Sequence, residues 1–284
     1  MAASFASGLN GVASALFTTL FPSDCRLCGT PLNNLSCLPV CKECLLQMHP
    51  IAGGICSICG EKLVSQYAFS PEDAEPRCGL CHRFEPPFVK AAAYGSYEGG
   101  LRELIHLLKY DSVRPAAKVL GRMLAEAISH LESAMGPSPF LIVPVPLHPR
   151  KLRQRGFNQS ELIAQAAWKL VSFPDRVQLA SAALERRRET QSQIGLSRRQ
   201  RRENMRGAFA VKHAEEIKSK SILLVDDVFT TGTTVSECTR VLRRAGASKV
   251  YVATVARTLK IELQGAALEE PEIESEAAMA AHAS

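Results

Sequence analysis

The chain has 284 residues, 46% hydrophobic and 22% charged, which is enough for one full α/β core plus a smaller module. Its net charge of +6 is uneven: residues 146 to 206 carry fourteen Lys and Arg against five Asp and Glu, so anions are expected there. Nine of the ten cysteines fall before residue 82, and eight of those form Cys-x-x-Cys pairs, which argues for metal ligation in a reducing, cytoplasmic location and against a secreted disulfide framework.

Residues 1–22 are mildly apolar but lack a basic leader region, and Asn10 and Gly11 interrupt the run far short of a spanning length. No membrane span is expected. The spacing of Phe5, Leu9, Val12, Leu16, Phe17 and Leu20 predicts an amphipathic helix that docks on the protein's own surface, with a partner or a membrane surface as alternatives.

The module over residues 23–85 holds Cys25 and Cys28, Cys41 and Cys44, Cys56 and Cys59, and Cys78 and Cys81. Twelve residues separate the first two pairs and eighteen the last two. Each Cys-x-x-Cys turn brings two thiolates to one tetrahedral ion, so four pairs make two four-cysteine zinc sites. Gly29 and Gly60 follow Cys28 and Cys59, where a tight turn needs a permissive backbone. Sequential pairing of the couples is preferred to an interleaved one, because each couple reads as a knuckle followed by a helix start. Closed sites of this kind are structural or bind partners, and metal would supply much of the folding energy of so small a module. Cys37 has no pair, and Cys238 is expected in a helix core.

A change of composition after Glu85-Pro86-Pro87 marks the start of a second domain, residues 86–260. If the two fold separately, a chain starting near residue 88 should bind ligand on its own, and removing Cys56 from the full chain should destabilise the N-terminal module alone. Strands are expected over 88–97, 140–143, 221–225 and 249–255, and helices over 100–110, 115–133, 158–171 and 233–245. Apolar runs without alternation, alternating with helices, predict an α/β fold whose parallel sheet is covered on both faces. After Lys260 the chain has six Glu and no Lys or Arg, so residues 261–284 are expected to be a disordered acidic tail.

Within this domain Arg150, Lys151 and Arg155 suit phosphate oxygens or a solvated face, and Pro144 and Pro146 stiffen the approach to them. His148 reads as a surface residue more than an acid–base group, and Asn158 as a helix cap or a ligand contact. Residues 186 to 206 hold eight Arg and suit a loop that closes over a ligand through Arg186, Arg187, Arg188, Thr190, Gln191 and Gln193. Arg198, Arg199, Arg201 and Arg202 fit single-stranded DNA phosphates, the ligand or plain solvent, and few aromatics are interleaved for base stacking.

The most informative segment runs from Ile222 to Thr234, where a buried strand meets two acids and then a Thr- and Gly-rich turn that opens a helix. The N–H groups of Thr230, Thr231, Gly232, Thr233 and Thr234, at the positive end of that helix, suit a phosphate monoester. Asp226 and Asp227 then stand at ribose distance, where carboxylates accept from the 2′- and 3′-hydroxyls and help hold hydrated Mg²⁺. A Walker-type Gly-Lys-Ser/Thr is absent.

Val225-Asp-Asp-Val-Phe-Thr-Thr-Gly-Thr-Thr234 resembles the phosphoribosyl pyrophosphate motif of type I phosphoribosyltransferases. Leu107-Leu-Lys-Tyr110, Val143-Pro-Val-Pro-Leu147, Arg155-Gly-Phe-Asn-Gln159 and Thr190-Gln-Ser-Gln193 with Leu196, Arg199, Arg202, Asn204, Arg206 and Phe209 narrow the resemblance to the ComF family, over residues 22–257. The resemblance implies a phosphoribosyltransferase-like domain behind a zinc-binding module, associated with natural competence. It also implies phosphoribosyl pyrophosphate and Mg²⁺ as ligands, pyrophosphate held by Leu147, Arg150, Lys151 and Arg155, and Asp226 and Asp227 at the reacting ribose. Two activities follow: phosphoribosyl transfer to an unidentified nitrogen acceptor, or a non-catalytic DNA-uptake accessory that binds single-stranded DNA or a helicase partner.

Overall fold

Among the described residues of the computed structural model there are seven strands, most of them joined by helices: β1 (Ala91–Ser96), β2 (Phe140–Pro144), β3 (Val177–Leu179), β4 (Leu184–Arg186), β5 (Phe209–Val211), β6 (Ser221–Phe229) and β7 (Lys249–Arg257). The structure describes residues 23–32, 37–63, 75–190 and 198–259, with the side chains of Arg198 and Arg199 outside that description. The helix expected over 1–22, the tail over 261–284, and Gln191, Gln193 and Leu196 lie outside the described residues. Five strands form one parallel sheet in the order β1-β7-β6-β2-β3, while β4 and β5 make a separate antiparallel ribbon.

The helices are α1 (Lys42–Leu46), α2 (Gly79–Arg83), α3 (Gly99–Lys109), α4 (Ala116–Ser129), α5 (Glu132–Met135), α6 (Pro149–Arg155), α7 (Gln159–Trp168), α8 (Arg198–Met205), α9 (Ala214–Ile217) and α10 (Thr233–Arg244). One face of the sheet packs on α3, α4 and α7, and the other on α8, α9 and α10. Ile222, Leu223, Leu224 and Val225 in the central β6 are fully buried, as an unbroken apolar run between two helical layers requires. Helices α4 and α7 cross where Gly121 meets Ala166, and a Cβ on Gly121 would run into the Ala166 side chain.

Both β6 and β7 run beyond their expected ends at 225 and 255. They extend together in register, with Val228 opposite Ala256 and Phe229 opposite Arg257, so both acids lie inside the strand. The helix expected over 115–133 breaks after Ser129, and α5 ends at Gly136, whose φ of 67° stops it. Arg150, Lys151 and Arg155 sit on a short helix, α6, which His148 caps by accepting at Nδ1 from the Arg150 N–H and which starts at Pro149.

The cysteine-rich segment covers the free edge of β1. Ile51 N–H donates to Tyr94 O and Ala91 N–H to Ile58 O, which satisfies an edge that would otherwise be open. Cys25, Val40 and Met48 join the core on the α3–α4 face, whereas Cys56, Cys59, Cys78 and Cys81 join Phe88, Leu141 and Val143 on the other. A buried ion pair, Arg257 to Glu61 at 2.6 Å, ties the end of β7 to the second half of this segment, and Arg257 also donates to Cys59 O. The segments on either side of residue 85 therefore share both apolar cores. Among the described residues no helix is long and apolar enough to cross a membrane.

Candidate functional site

The eight paired cysteines gather as two clusters, Cys25-Cys28-Cys41-Cys44 and Cys56-Cys59-Cys78-Cys81, so the pairing is sequential. All sulfurs of a cluster lie within 4.8 Å of one another. Sγ···Sγ separations of 3.9 Å (Cys25–Cys44), 3.7 Å (Cys28–Cys41) and 3.6 Å (Cys59–Cys78) match the edge of about 3.8 Å in a tetrahedron with Zn–S near 2.3 Å. The Cys25 and Cys41 sulfurs also accept from the backbone N–H of Cys41 and Cys44, which suits thiolates. The donor set fits zinc. Purified protein should carry about two zinc ions per chain. Elemental analysis that finds none in protein prepared without chelator would defeat this.

At the carboxyl end of the sheet a cavity of about 320 Å³ opens beside Asp226 and Asp227, with Leu147, Thr230 and Thr234 on its wall. Asp226 Oδ1 accepts from Ser160 Oγ at 2.9 Å and from the Asp227 N–H at 2.9 Å. Burial, and then the neighbouring Asp227 charge, push Asp226 up to about 7. Asp227 is paired with Lys109 Nζ at 2.7 Å. Burial opposes the Lys109 charge, but the Asp227 carboxylate outweighs it, and the net direction is upward.

The raised Asp226 has a consequence for stability. In the folded protein it keeps a proton that the unfolded chain loses above the ordinary carboxylate range. Its contribution is complete below that range and is lost as pH rises through about 7. Asp226→Asn, which cannot titrate, should therefore gain melting temperature relative to the parent as pH is raised from about 5 to about 8. A difference between the two that is constant with pH would contradict the assignment.

The turn after β6 is held by Gly232, at φ 73°, as the N-cap of α10, and Thr231 Oγ1 lies 2.9 Å from Thr233 Oγ1. The first turn of α10 carries the positive end of the helix dipole, which suits an anion. Behind the turn stands Phe229: a Cβ on Gly232 would lie 2.7 Å from its Cζ. Thr234 lines the cavity beside the acids, Thr230 borders both that cavity and a second one, and Thr231, Gly232 and Thr233 line the second.

Of the four residues expected at pyrophosphate, Leu147 stands on the cavity wall. Arg150 pairs with Glu189 at 3.3 Å, and Arg155 lies over the Tyr110 ring at 5.7 Å and donates to Gln159 Oε1. Lys151 is pushed down by burial and then by Arg186 and Arg155. Among the described residues the cations on the wall are Lys109, Arg186 and Arg201. Arg186, lowered by burial, also donates to Thr190 Oγ1 and lies over the Phe209 ring. Arg188 donates to Asn204 O and Arg206 O. Asn158 is a cap: its Oδ1 accepts from Ser160 N–H and its Nδ2 donates to Val145 O.

Sequence patterns alone assign no role to Lys109 or Tyr97. For Lys109 the available signal is a lysine directly after two buried leucines. Tyr97 has none, and its hydroxyl sits 2.9 Å from His106 Nε2, a ring that burial, and then Arg102, keep below its ordinary range.

Residues 162–270 match the phosphoribosyl transferase domain model. The chain is 34% identical over 226 residues to the DNA utilization protein YhgH of Escherichia coli O157:H7, covering 76% of this chain and 97% of that protein. It is 29% identical over 225 residues to Competence protein F of Haemophilus influenzae, covering 76% of this chain and 96% of that protein. A hypoxanthine phosphoribosyltransferase from Staphylococcus aureus is similar at 14% identity and a TM-score of 0.31, over 49% of this chain and 62% of that one.

Proposed function

Since the chain belongs to the ComF family, with a type I phosphoribosyltransferase-like α/β domain behind its two four-cysteine clusters, we propose that the sheet-end cavity binds phosphoribosyl pyrophosphate with Mg²⁺. The observation that carries this is a cavity wall that bears both acids, Thr230 and Thr234 from the two ends of the Gly-centred, helix-opening turn, and the cations Lys109, Arg186 and Arg201. The turn amides take the 5-phosphate, Asp226 and Asp227 the ribose hydroxyls, and the cations the leaving pyrophosphate. Bound Mg²⁺ would offset the pyrophosphate charge. In the transfer, a nitrogen nucleophile forms a bond to the anomeric carbon as the bond from that carbon to the pyrophosphate oxygen breaks. Isothermal titration with Mg²⁺ and phosphoribosyl pyrophosphate should give one site per chain, and no heat of binding would sink the reading. Pyrophosphate release against a panel of bases, ammonia and glutamine then separates transfer from binding alone.

A second reading, a non-catalytic DNA-uptake accessory that binds single-stranded DNA or a helicase, draws on relatives whose names speak of DNA utilization and competence. Helix α8 carries Arg201 and Arg202 together with Arg198 and Arg199. Changing all four to Ala should weaken single-stranded DNA binding and flatten the slope of its logarithmic salt dependence by about 0.7 for each phosphate no longer neutralised. Unchanged affinity would remove α8 from the interface.

A further inference from the structure

We propose that the phosphate turn serves two cavities, and that the second takes a nucleoside esterified to the phosphate held there, so the site accepts a 5′-phosphodiester. This rests on the reading that the turn holds phosphate, but not on any transfer reaction.

The second cavity, about 280 Å³, lies against the opposite side of the turn, with Thr231, Gly232 and Thr233 in its wall. Thr230 and Arg201 border both cavities. A phosphate on the first-turn amides of α10 thus stands where the two spaces meet. A monoester would fill only the side with the acids. A diester replaces one free oxygen with a link to a second group, and a link leaving away from Asp226 enters the second cavity. Asp226, Asp227 and Val228 border the first cavity and are absent from this wall, so its occupant lies on the phosphate side of the ribose, away from the reacting carbon.

The lining suits a nucleobase. Leu80, Phe84, Phe88 and Phe229 supply apolar walls, with Phe88 edge-on to Phe229 at 6.1 Å. Phe84, at the end of the five-residue α2, is 66% exposed, an open aromatic face of the kind on which bases stack. The charge suits a nucleotide linkage. Arg201, Arg202, Arg240 and Arg257 share the wall with Glu61 and Glu85; Arg257 and Glu61 neutralise one another and Arg240 pairs with Glu237 at 3.3 Å, which leaves Arg201 and Arg202 against Glu85. Arg257 is 3% exposed, and its Nε has no hydrogen-bond partner among the described residues; the same holds for Arg201 Nε. The shared chemistry, a base linked through phosphate to the next sugar, is found in a free dinucleotide and in a single strand.

The test compares thymidine 5′-monophosphate, the dinucleotide thymidylyl-thymidine and a 20-mer oligothymidylate by titration calorimetry on the full, zinc-loaded chain. The dinucleotide should bind about tenfold more tightly than the monoester, the value of one stacked base. Phe84→Ala, at an exposed position that spares the fold, should bring the ratio of the two affinities close to one. A 20-mer that binds more tightly than the dinucleotide identifies a strand as the source, and one that binds no more tightly identifies the free dinucleotide. A dinucleotide no tighter than the monoester, or a ratio untouched by Phe84→Ala, overturns the proposal. Phosphoribosyl pyrophosphate titrated into the same samples keeps the two readings apart: its failure with dinucleotide binding intact overturns the phosphoribosyl reading alone.

Discussion

Cys56→Ser should unfold the α/β segment along with the cysteine-rich one, in a single transition. Cys56 is 1% exposed and belongs to the same apolar core as Phe88, Val143, Ile222 and Leu224. Structural zinc sites contribute about 10–16 kcal/mol to the folding of small zinc-finger peptides. Whole domains are stable by about 5–15 kcal/mol, so damage to one such site is comparable to the total. The damage would also spread. Cys59 O and Glu61 hold the buried Arg257 guanidinium, which lies 4.6 Å from the Phe229 ring that backs the phosphate turn. The single tryptophan, Trp168, sits on α7 and donates to Val177 O, so it reports from the α/β domain. In guanidinium titrations the Trp168 fluorescence midpoint of Cys56→Ser should fall together with far-UV circular dichroism. A Trp168 midpoint equal to the parent's would show two independently folding units, as the compositional break at residue 85 alone suggests.

That contrast marks what the sequence can carry. Local patterns are legible because they are local: the Cys-x-x-Cys turns, the unbroken apolar run of β6, and a glycine at the mouth of α10. The sheet order is not legible, because strand neighbours depend on crossovers that leave no trace in spacing. Once β1 is known to be an edge strand, the role of residues 51 and 58 as its hydrogen-bonding partners becomes clear. Pairs such as Lys109 with Asp227 and Arg257 with Glu61 join positions more than 100 residues apart, and each needs the fold before it can be seen. The basic stretch from 146 to 206 illustrates the reverse. Its charge draws attention to Arg150, Lys151 and Arg155 as much as to Arg186 and Arg201; Glu189 pairs with Arg150, Tyr110 and Gln159 hold Arg155, and the cavity wall takes Arg186 and Arg201.

Gly232→Val should abolish phosphoribosyl pyrophosphate binding while both acids remain in place. The sequence alone suggests that a side chain here would obstruct the phosphate. The geometry adds a different obstacle, since Gly232 has φ 73° and its Cβ would lie 2.7 Å and 3.0 Å from Phe229 Cζ and Cε1. For a branched residue the left-handed backbone costs about 1–2 kcal/mol, and displacing a ring packed on Phe88 and Arg257 costs about 1–3 kcal/mol more. Both penalties are relieved by moving the turn, which scatters the amides that would hold phosphate. Asp226→Ala with Asp227→Ala should weaken the same ligand by about 2–4 kcal/mol, because charge-assisted hydrogen bonds to it disappear. Removing Asp227 strands the buried Lys109, so melting temperature is read beside affinity: lost stability reports the unpaired internal charge, and lost affinity in folded protein reports the missing hydrogen bonds to ligand. Calorimetric titration with Mg²⁺ beside circular dichroism tests both variants. Folded variants that bind as tightly as the parent would place the phosphoribosyl site elsewhere on the molecule.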